Sequence, residues 1–290
     1  MKGQFSAAER VKDFYMLTLP YTHVLVVSVV LASVWVAKGA IFFDGTVLLA
    51  MILGMLWASF SNVLNNIHDL PSDRIHDYDR PLVKGSITVP QAYMYYVALI
   101  ALGFIIASFL NQLAVLITVF AVFLSIVYSV EPIKLKRWDT TTHLIMGLGY
   151  AVALFVLGWS LYNPIGTLPL GIALIFFLLT NVVTLGKDYK DVHEDLSVGI
   201  KTNAAWNLSF AMNLHTFYIF LPYLVAVYMM YNGLLMPKTV SYFMVTIVLF
   251  LATMFHTRRQ GTPEGFMKSY LLFIISGVVA YLVFAISSVI

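Results

Sequence analysis

Long apolar segments recur along the chain, separated by short polar stretches. Each is long enough to cross a hydrocarbon core of about 30 Å as a helix. Nine such segments lie near residues 20–37, 46–65, 91–110, 113–130, 142–161, 168–186, 208–230, 240–256 and 268–289. The pattern predicts an all-α polytopic membrane bundle of nine transmembrane helices, forming a single membrane-embedded domain over residues 1–290.

A shorter amphipathic segment, residues 5–17, precedes the first of these helices. Ser6 and Glu9 have capping-box spacing, in which each side chain bonds the backbone N–H of the other residue. The apolar side chains that bias one side of the segment are Val11, Phe14, Tyr15 and Met16. The segment is predicted to be a helix lying in the membrane interface.

The composition narrows the class of protein. Of the 290 residues, 60% are hydrophobic and 11% are charged, whereas soluble domains carry roughly a quarter charged residues. The absence of cysteine excludes disulfides, thiolate nucleophiles and cysteine-ligated zinc. The net charge of +3 is small and the basic residues lie between apolar segments, so nucleic-acid binding has no support. No cleavable signal peptide is expected, because no small-residue cleavage site follows the first apolar run.

The distribution of basic residues predicts the orientation in the membrane. With a cytoplasmic amino terminus, 15 of the 17 lysines and arginines fall inside, as the positive-inside rule requires. The inside set is Lys2, Arg10, Lys12, Arg74, Arg80, Lys84, Lys134, Lys136, Arg137, Lys187, Lys190, Lys201, Arg258, Arg259 and Lys268, and the outside set is Lys38 and Lys238. The acids also lie inside except Asp44, although acids do not follow that rule. We interpret their one-sidedness as functional.

A weak internal repeat accompanies this arrangement. Asp69 and Asp191 are 122 residues apart, and so are Asp73 and Asp195. The same offset takes Lys136 and Arg137 onto Arg258 and Arg259. Helices 1–4 and 5–8 are therefore interpreted as parallel repeats related by an axis along the membrane normal, with chance alignment as the alternative.

Two acidic stretches lie at the predicted cytoplasmic ends of helices 2 and 6. Asn65, Asp69 and Asp73 are spaced i, i+4, i+8, which places them on one helical face, with a kink predicted at Pro71. The second stretch contains Asp188, Asp191 and Asp195, whose spacing of i, i+3, i+7 also places them on one helical face.

Several carboxylates brought together repel one another unless cations lie between them. Oxygen ligands without sulfur favour a hard ion, and Mg²⁺ suits them because it keeps water and substrate phosphate among its ligands. Nearby basic side chains would neutralise the remaining phosphate oxygens. These are Arg80, Lys84, Lys134, Lys136, Lys187 and Lys201. The simpler alternative is a pair of solvated loops that only set the orientation.

Three motifs resemble those of the UbiA superfamily of intramembrane prenyltransferases. The run Asn65-Asn66-x-x-Asp69-x-x-x-Asp73, followed by Arg80-Pro81-Leu82-Val83-Lys84-Gly85, is similar to the first aspartate-rich motif of that superfamily. The run Lys187-Asp188-x-x-Asp191-x-x-x-Asp195, followed by Gly199-Ile200-Lys201-Thr202, resembles the second aspartate-rich motif of the family. The run Tyr128-Ser129-x-x-Pro132-x-Lys134-Leu135-Lys136 resembles a third patch found in several members of the family.

The resemblance implies a nine-helix bundle with a central cavity, capped by the loops after helices 2 and 6. It also implies that Mg²⁺ is held against an isoprenyl diphosphate by Asn65, Asp69, Asp73, Asp191 and Asp195. Asp188 would support the second site directly or through water. The four metal-binding aspartates are the catalytic candidates, together with Tyr128, whose alternative role is that of an interfacial belt tyrosine.

Two departures from the family pattern bear on the substrates, and two of the motifs resemble different branches of the family. Asn66 stands where the family usually has aspartate, which suggests a hydrogen-bonding role toward the diphosphate. Leu19-Pro20 replaces an Arg-Pro whose arginine is often tied to an acidic group of the acceptor, which argues against a p-hydroxybenzoate-like acceptor. The Leu82–Gly85 run resembles the haem-farnesylating branch, whereas the second motif is closer to the quinone, chlorophyll and archaeal-lipid branches.

The expected reaction is ionisation of an allylic diphosphate, such as geranylgeranyl or farnesyl diphosphate, followed by transfer to a lipophilic acceptor. Metal ions and basic side chains take up the charge on the leaving group, and the allylic cation needs a water-poor chamber. An aromatic quinone precursor, geranylgeranylglyceryl phosphate, a tetrapyrrole and a carotenoid end all stay open as acceptors. A terpene cyclase on the same scaffold is an alternative, and so is a transporter, although transporters bind near the midplane. The expected location is the cytoplasmic membrane of a prokaryote.

Two histidines fall inside predicted membrane helices, His23 in the first and His215 in the seventh. Intramembrane ionisable residues are often functional. Neither has a partner at metal-ligand spacing, so both are expected to be satisfied packing residues.

Overall fold

The computed structural model describes residues 6–75, 79–167, 169–197 and 202–290, the side chains of 193–195 and 197 excepted. Within these ranges the chain is helical and contains no strand. The α-helices are α1 (Ala7–Leu17), α2 (His23–Lys38), α3 (Gly45–Ile75), α4 (Pro81–Lys84), α5 (Val89–Leu110), α6 (Gln112–Ser129), α7 (Asp139–Gly147), α8 (Leu154–Ser160), α9 (Leu170–Ser197), α10 (Asn203–Trp206), α11 (Leu208–Tyr231), α12 (Pro237–Val245), α13 (Ile247–Thr257) and α14 (Pro263–Val289).

Nine helical spans in the described chain are long and apolar enough to cross a membrane. Two of them are composite. A π-helical stretch, Leu148–Ala153, joins α7 to α8, and α12 and α13 meet at Thr246 to form one span. The predicted all-α bundle of nine transmembrane helices is confirmed, and the chain is an integral membrane protein.

Helices α3 and α9 are much longer than their predicted apolar segments. With a rise of 1.5 Å per residue, the 31 residues of α3 span about 46 Å, well beyond a hydrocarbon core of about 30 Å. Both helices therefore carry their acidic motifs on a continuous rod that extends past the apolar core. Pro71 lies inside α3, which continues through it to Ile75.

The amino-terminal helix has the predicted capping box. Ser6 accepts a hydrogen bond from the Glu9 backbone N–H, and Glu9 Oε2 accepts one from the Ser6 backbone N–H at 2.7 Å. Val11 and Tyr15 are exposed, while Phe14 packs edge-to-face on Tyr95 of α5 with ring centroids 5.1 Å apart. Helix α1 thus combines a docked side with an exposed apolar side, as the interfacial prediction requires.

Helix α2 lies between α3, α8 and α14, while α9 packs against α11 and α14. Close helix approach depends on small residues, because the backbones could not otherwise meet. At Gly158 of α8, a Cβ would lie 2.8 Å from the Ser33 Cβ of α2. The same contact is reinforced by Ser33 Oγ, which donates to the carbonyl of Phe155. The α2–α8 contact therefore brings the two halves of the chain together beside the cavity described below.

One structural feature bears on the predicted repeat. The short helices α4 and α10 follow the first and second acidic motifs and begin 122 residues apart, at Pro81 and Asn203. This is the offset found in the sequence. The repeat of helices 1–4 and 5–8, and the single-domain assignment, stay predictions.

Candidate active site

The first acidic motif occupies one face of α3, where it is held by a lysine from a distant loop. Asn65 Nδ2 donates to Asp69 Oδ2 at 2.8 Å, as expected for residues one turn apart. Lys136, from the 3₁₀ turn between α6 and α7, donates to Asn65 Oδ1 at 3.1 Å and to Asp69 Oδ1. A single ammonium group therefore bridges the first two motif residues.

The Lys136 side chain is only 9% exposed. Burial lowers its pKa, because desolvation disfavours the ammonium, and the charge of Asp69 acts in the opposite direction. Lys134, two residues earlier, has φ +33° and lies in the left-handed region, which is strained for a residue with a Cβ. Its Nζ lies 3.4 Å from Glu131 Oε1. The third motif thus supplies Lys136 directly to the first.

Asp73 is almost fully buried, with 1% exposure, and Arg80 Nη1 lies 2.7 Å from each of its carboxylate oxygens. The residues after Arg80 explain the local turn. Pro81 occupies the first position of α4, where its missing N–H costs nothing, and Gly85 ends the helix with φ +75°. The turn formed by the Arg80–Gly85 run therefore places the Arg80 guanidinium beside Asp73 of the first motif.

Two predicted diphosphate-binding residues have other contacts in this structure. Asn66 is buried, and its Nδ2 donates to the carbonyl oxygens of Asn62 and Leu17, so it ties α3 to α1. Lys84 pairs with the exposed Asp79 at 2.8 Å, and its hydrogen bond to Asp79 raises its pKa. Both contacts lie apart from the Asn65–Asp69–Lys136 cluster.

The second acidic motif lies near the carboxyl-terminal end of α9. Asp191 Oδ1 accepts from Lys190 Nζ at 2.5 Å, and Asp191 Oδ2 lies 3.6 Å from Lys187 Nζ. The side chain of Asp195 and the whole of Lys201 lie outside the described part of the chain.

Asp188 contacts residues that the sequence analysis did not select. Its Oδ2 lies 3.0 Å from His143 Nε2 of α7, while His143 Nδ1 lies 3.2 Å from Thr184 Oγ1. Asp139 lies one turn before His143, with its Oδ1 3.8 Å from His143 Nε2. Asp139 also accepts hydrogen bonds from the backbone N–H and side-chain amide of Asn203.

Of the group formed by Asp139, His143 and Asp188, the sequence shows only the i, i+4 spacing of Asp139 and His143. It did not reveal the partner on α9. One ligand atom from each of Asp139, His143 and Asp188 lies within 4.8 Å of the others, so the group has the geometry to hold a cation.

Both acidic motifs and the third patch meet at one cavity. The lining of the cavity includes Asn65 of the first motif, Lys187 of the second and Tyr128 of the third. Tyr128 lies close enough to Asp69, Asp188, Asp191 and Lys187 to be influenced by their charges. Below this mouth the walls are mainly apolar, with Leu25, Val26, Trp57, Ala58, Leu124, Leu154 and Ile274. The two motifs, far apart in sequence, therefore share one polar opening above an apolar chamber.

The donor chemistry at this opening fits Mg²⁺. The first motif offers an amide oxygen and two carboxylates, and the second offers the carboxylate of Asp191. Hard oxygen donors of this kind suit Mg²⁺ when phosphate and water complete its coordination. Asp69, Asp73 and Asp191 are each paired with a lysine or arginine. Their negative charge is thus compensated by neighbouring cationic side chains.

The two histidines inside the membrane are satisfied packing residues, as expected. His23 Nε2 lies 3.1 Å from Ser59 Oγ. His215 is fully buried, with Nδ1 2.8 Å from the Tyr189 hydroxyl and Nε2 2.8 Å from the Val182 carbonyl oxygen.

Comparison with solved structures shows the same fold in archaeal proteins. A UbiA homolog from Archaeoglobus fulgidus, solved bound to DMAPP and Mg²⁺, is 21% identical, with a TM-score of 0.70 over 93% of this chain and 99% of that one. A UbiA homolog from Aeropyrum pernix K1 has a TM-score of 0.74 at 15% identity, over 91% and 97% of the two chains.

Sequence comparison gives relatives of several kinds. A digeranylgeranylglyceryl phosphate synthase of Methanoculleus marisnigri is 31% identical over 193 residues, which are 66% of this chain and 67% of the relative. A 2-acylphloroglucinol 4-prenyltransferase of Humulus lupulus is 27% identical over 94% of this chain and 71% of its own length. A 4-hydroxybenzoate octaprenyltransferase of Pasteurella multocida is 29% identical over 73% and 70%. The profile of the UbiA prenyltransferase family matches residues 25–281, and the chain belongs to that family.

Proposed function

We propose that this protein transfers an isoprenyl group from an allylic isoprenyl diphosphate to a lipophilic acceptor, in a reaction that depends on Mg²⁺. The observation that carries the proposal is the shared opening. Asn65 and Lys187, from motifs far apart in the chain, line one cavity, and apolar side chains form the chamber below them. A charged diphosphate and a long hydrocarbon tail need these two environments side by side.

The proposed Mg²⁺ ligands are Asn65, Asp69, Asp73, Asp191 and Asp195. When bound, Mg²⁺ supplies positive charge that stabilises the departing diphosphate. Asp188 is held by His143 at 3.0 Å, so we assign it a supporting role in the second motif through that contact. The relative from Archaeoglobus fulgidus, solved with DMAPP and Mg²⁺, supports the choice of donor and metal.

Basic side chains of this chain bind and orient the diphosphate in the proposed reaction. Lys136 and Lys187 lie at the opening, and Arg80 reaches it through Asp73. Each now compensates a carboxylate, and each is long enough to turn toward a phosphate oxygen once a divalent ion replaces it there. Lys84, Lys134 and Lys201 complete the predicted set, with Lys84 at the more exposed edge. Asn66 would act indirectly, by fixing α3 against α1.

The chemical step breaks the C–O bond between the allylic carbon and the diphosphate, and the electron pair leaves with the diphosphate. The acceptor then forms a bond to the allylic carbon and loses a proton. The apolar chamber keeps water away from the cation in between, which would otherwise be quenched as an alcohol. Tyr128 lies at the junction of the opening and the chamber, where its ring can stabilise that cation.

The direct test replaces one carboxylate in each motif. Membranes that contain Asp69→Ala or Asp191→Ala are incubated with Mg²⁺, labelled geranylgeranyl diphosphate and a panel of acceptors. The panel covers a quinone-precursor aromatic acid, geranylgeranylglyceryl phosphate, a tetrapyrrole and a carotenoid. Both variants should lose Mg²⁺-dependent transfer while remaining folded, and retained turnover in both refutes the assignment. Glu264→Ala, an exposed acid at the start of α14, is the matched control.

Product mass distinguishes the alternatives on the same scaffold. A cyclised hydrocarbon or alcohol formed without acceptor identifies a terpene cyclase, and uptake into proteoliposomes without chemical change identifies a transporter. We further propose that the protein resides in the cytoplasmic membrane of a prokaryote, with its amino terminus and active-site loops in the cytoplasm. The concentration of basic residues on the side of the two motifs supports this orientation.

A further inference from the structure

One wall of the cavity carries neutral polar groups that the proposed ionisation step does not use. They belong to Asn62 of α3, Tyr21 in the turn before α2, Tyr150 of the π-helical stretch and Tyr270 of α14. Asn62 lies three residues before Asn65, so it is about 4.5 Å deeper along α3 than the motif. Asn62 therefore lies below the motif, and the three tyrosines line the same cavity.

Hydrogen bonds within the protein hold Asn62 and Tyr150 in place, whereas Tyr21 and Tyr270 are held by ring packing. Asn62 Nδ2 donates to the Thr18 carbonyl oxygen at 2.8 Å, so its Oδ1 points away from that contact and accepts from the Tyr150 hydroxyl at a long 3.4 Å. Tyr21 and Tyr270 pack edge-to-face with ring centroids 6.2 Å apart. Their hydroxyl groups make no hydrogen bond within the described part of the chain.

The Tyr270 hydroxyl points to a ligand. Tyr270 is only 5% exposed, and it lines the cavity. The Tyr270 hydroxyl is not among the buried polar atoms that lack a partner, so it is accessible from the cavity and can form a hydrogen bond to a bound molecule. The π-helical stretch that presents Tyr150 is a second unusual feature, because π-helices are uncommon and concentrate at functional sites.

The charge of the wall indicates what kind of molecule binds. Among the described residues, Lys187 is the one charged side chain that lines the cavity, and it lies at the opening, 3.6 Å from Asp191. The other polar groups of the lining are uncharged, and they include amides, phenols and the hydroxyls of Thr22, Ser61, Ser125 and Thr184. A carboxylate or phosphate placed there would be desolvated without a cationic partner, which is far more unfavourable than burial of a hydroxyl or carbonyl that forms hydrogen bonds.

We propose that the acceptor is uncharged in the part that enters the cavity, and that a hydroxyl or carbonyl group of it is bound by Asn62, Tyr150 and Tyr270. This inference rests on the proposed function and adds the chemical class of its second substrate. Tyr150 and Tyr270 are specificity-determining residues in this assignment, and the anionic acceptors are disfavoured by lack of a cation.

The test uses two pairs of compounds that differ in charge. One pair is methyl 4-hydroxybenzoate and 4-hydroxybenzoate, and the other is geranylgeranylglycerol and geranylgeranylglyceryl phosphate. Binding is measured without Mg²⁺ or diphosphate, through the fluorescence of Trp57, which lines the cavity, with Trp57→Phe to establish the source of the signal. The neutral member of each pair should bind at least about 10-fold more tightly. Equal binding, tighter binding of the anionic member, or no binding of either neutral compound overturns the proposal.

Hydroxyl deletion identifies the residues responsible. Tyr150→Phe and Tyr270→Phe should each weaken binding of the neutral compounds by about 2- to 10-fold. In the coupled reaction the KM for the acceptor should rise while the KM for geranylgeranyl diphosphate is unchanged. Tyr223→Phe is the matched control, because its buried hydroxyl bonds Thr246 in another part of the bundle. Unchanged binding in both cavity variants contradicts the assignment.

A separate measurement distinguishes failure of this inference from failure of the proposed function. Release of diphosphate from geranylgeranyl diphosphate with Mg²⁺, in the absence of acceptor, reports ionisation alone. Its absence, together with no transfer to any acceptor, refutes the prenyltransferase proposal. Its presence with an anionic preference in the binding assay refutes only the neutral acceptor.

Discussion

The Nε2 atom of His143 lies 3.0 Å from Oδ2 of Asp188, across the contact between α7 and α9. Asp188 shares its helix face with Asp191, and the family resemblance implied that Asp191 binds Mg²⁺ while Asp188 supports the same site directly or through water. In the structure their environments differ, since Asp188 contacts an imidazole and Asp191 contacts the ammonium groups of Lys187 and Lys190.

This difference predicts separate effects of two isosteric variants. Asp191→Asn should lower kcat by more than about 100-fold and raise the Mg²⁺ concentration at half-maximal rate, because it removes a charged ligand. Asp188→Asn should leave that Mg²⁺ concentration unchanged and destabilise the protein by about 1–3 kcal/mol, through loss of a buried charge-assisted hydrogen bond. Mg²⁺ titrations and thermal unfolding measure the two effects. A raised Mg²⁺ requirement in Asp188→Asn would instead identify it as a ligand.

Two lysines of the predicted diphosphate set should differ in importance. Lys136 is buried and bridges Asn65 and Asp69, whereas Lys84 pairs with Asp79 at the surface. Lys136→Met should therefore raise the KM for the isoprenyl diphosphate by about 10- to 100-fold, as expected for a charge-assisted hydrogen bond in a desolvated site. Lys84→Met should change it by less than about 5-fold, since exposed ion pairs contribute little. Steady-state kinetics at saturating acceptor test the ranking, and a larger effect at Lys84 contradicts it.

The depth of the chamber should limit the length of the isoprenoid. A Cβ at Gly149 would meet only Leu124, at 3.7 Å, and both residues line the cavity. Gly149→Leu should therefore fold and fill part of the chamber, so that kcat/KM for geranylgeranyl diphosphate falls relative to dimethylallyl diphosphate. Gly45→Leu, at an open position at the start of α3, should leave this ratio unchanged. An unaltered ratio in Gly149→Leu means that the tail lies elsewhere.

Metal and diphosphate should stabilise the protein only together. The carboxylates already have basic partners, so Mg²⁺ alone gains little until a diphosphate takes over those lysines and arginines. Geranylgeranyl thiodiphosphate, which ionises slowly, should with Mg²⁺ add about 2.7 kcal/mol of stability at 100 times its Kd. Thermal unfolding with each ligand alone, with both, and after EDTA measures this. An equal shift from Mg²⁺ alone would contradict the expected coupling.

Much of this architecture was predictable because it depends on local patterns. A run of about 20 apolar residues can satisfy its backbone in lipid only as a helix, so the nine spans followed directly from the sequence. The faces of the acidic motifs followed from helical periodicity. Two boundaries differ from the predicted apolar segments, which ended at residues 65 and 186, since α3 continues to Ile75 and α9 to Ser197.

The partners of the motif residues could not be predicted in the same way. Periodicity places Asp188 and Asp191 on one face of α9, but the rotation of that helix against α7 decides that only Asp188 meets His143. Likewise, Lys136 could be recognised as a basic residue near the motif, whereas its bridge between Asn65 and Asp69 depends on how the loop after α6 folds over α3.

The sequence by itself determined the number of spans, the concentration of charge at one side of the membrane and the resemblance to a family. Only the tertiary structure decided which side chains line the chamber below that charge, including Asn62, Tyr150 and Tyr270. The physical reason is that hydrophobicity and periodicity are properties of one segment, whereas a cavity wall is assembled from helices whose relative rotation is set by packing.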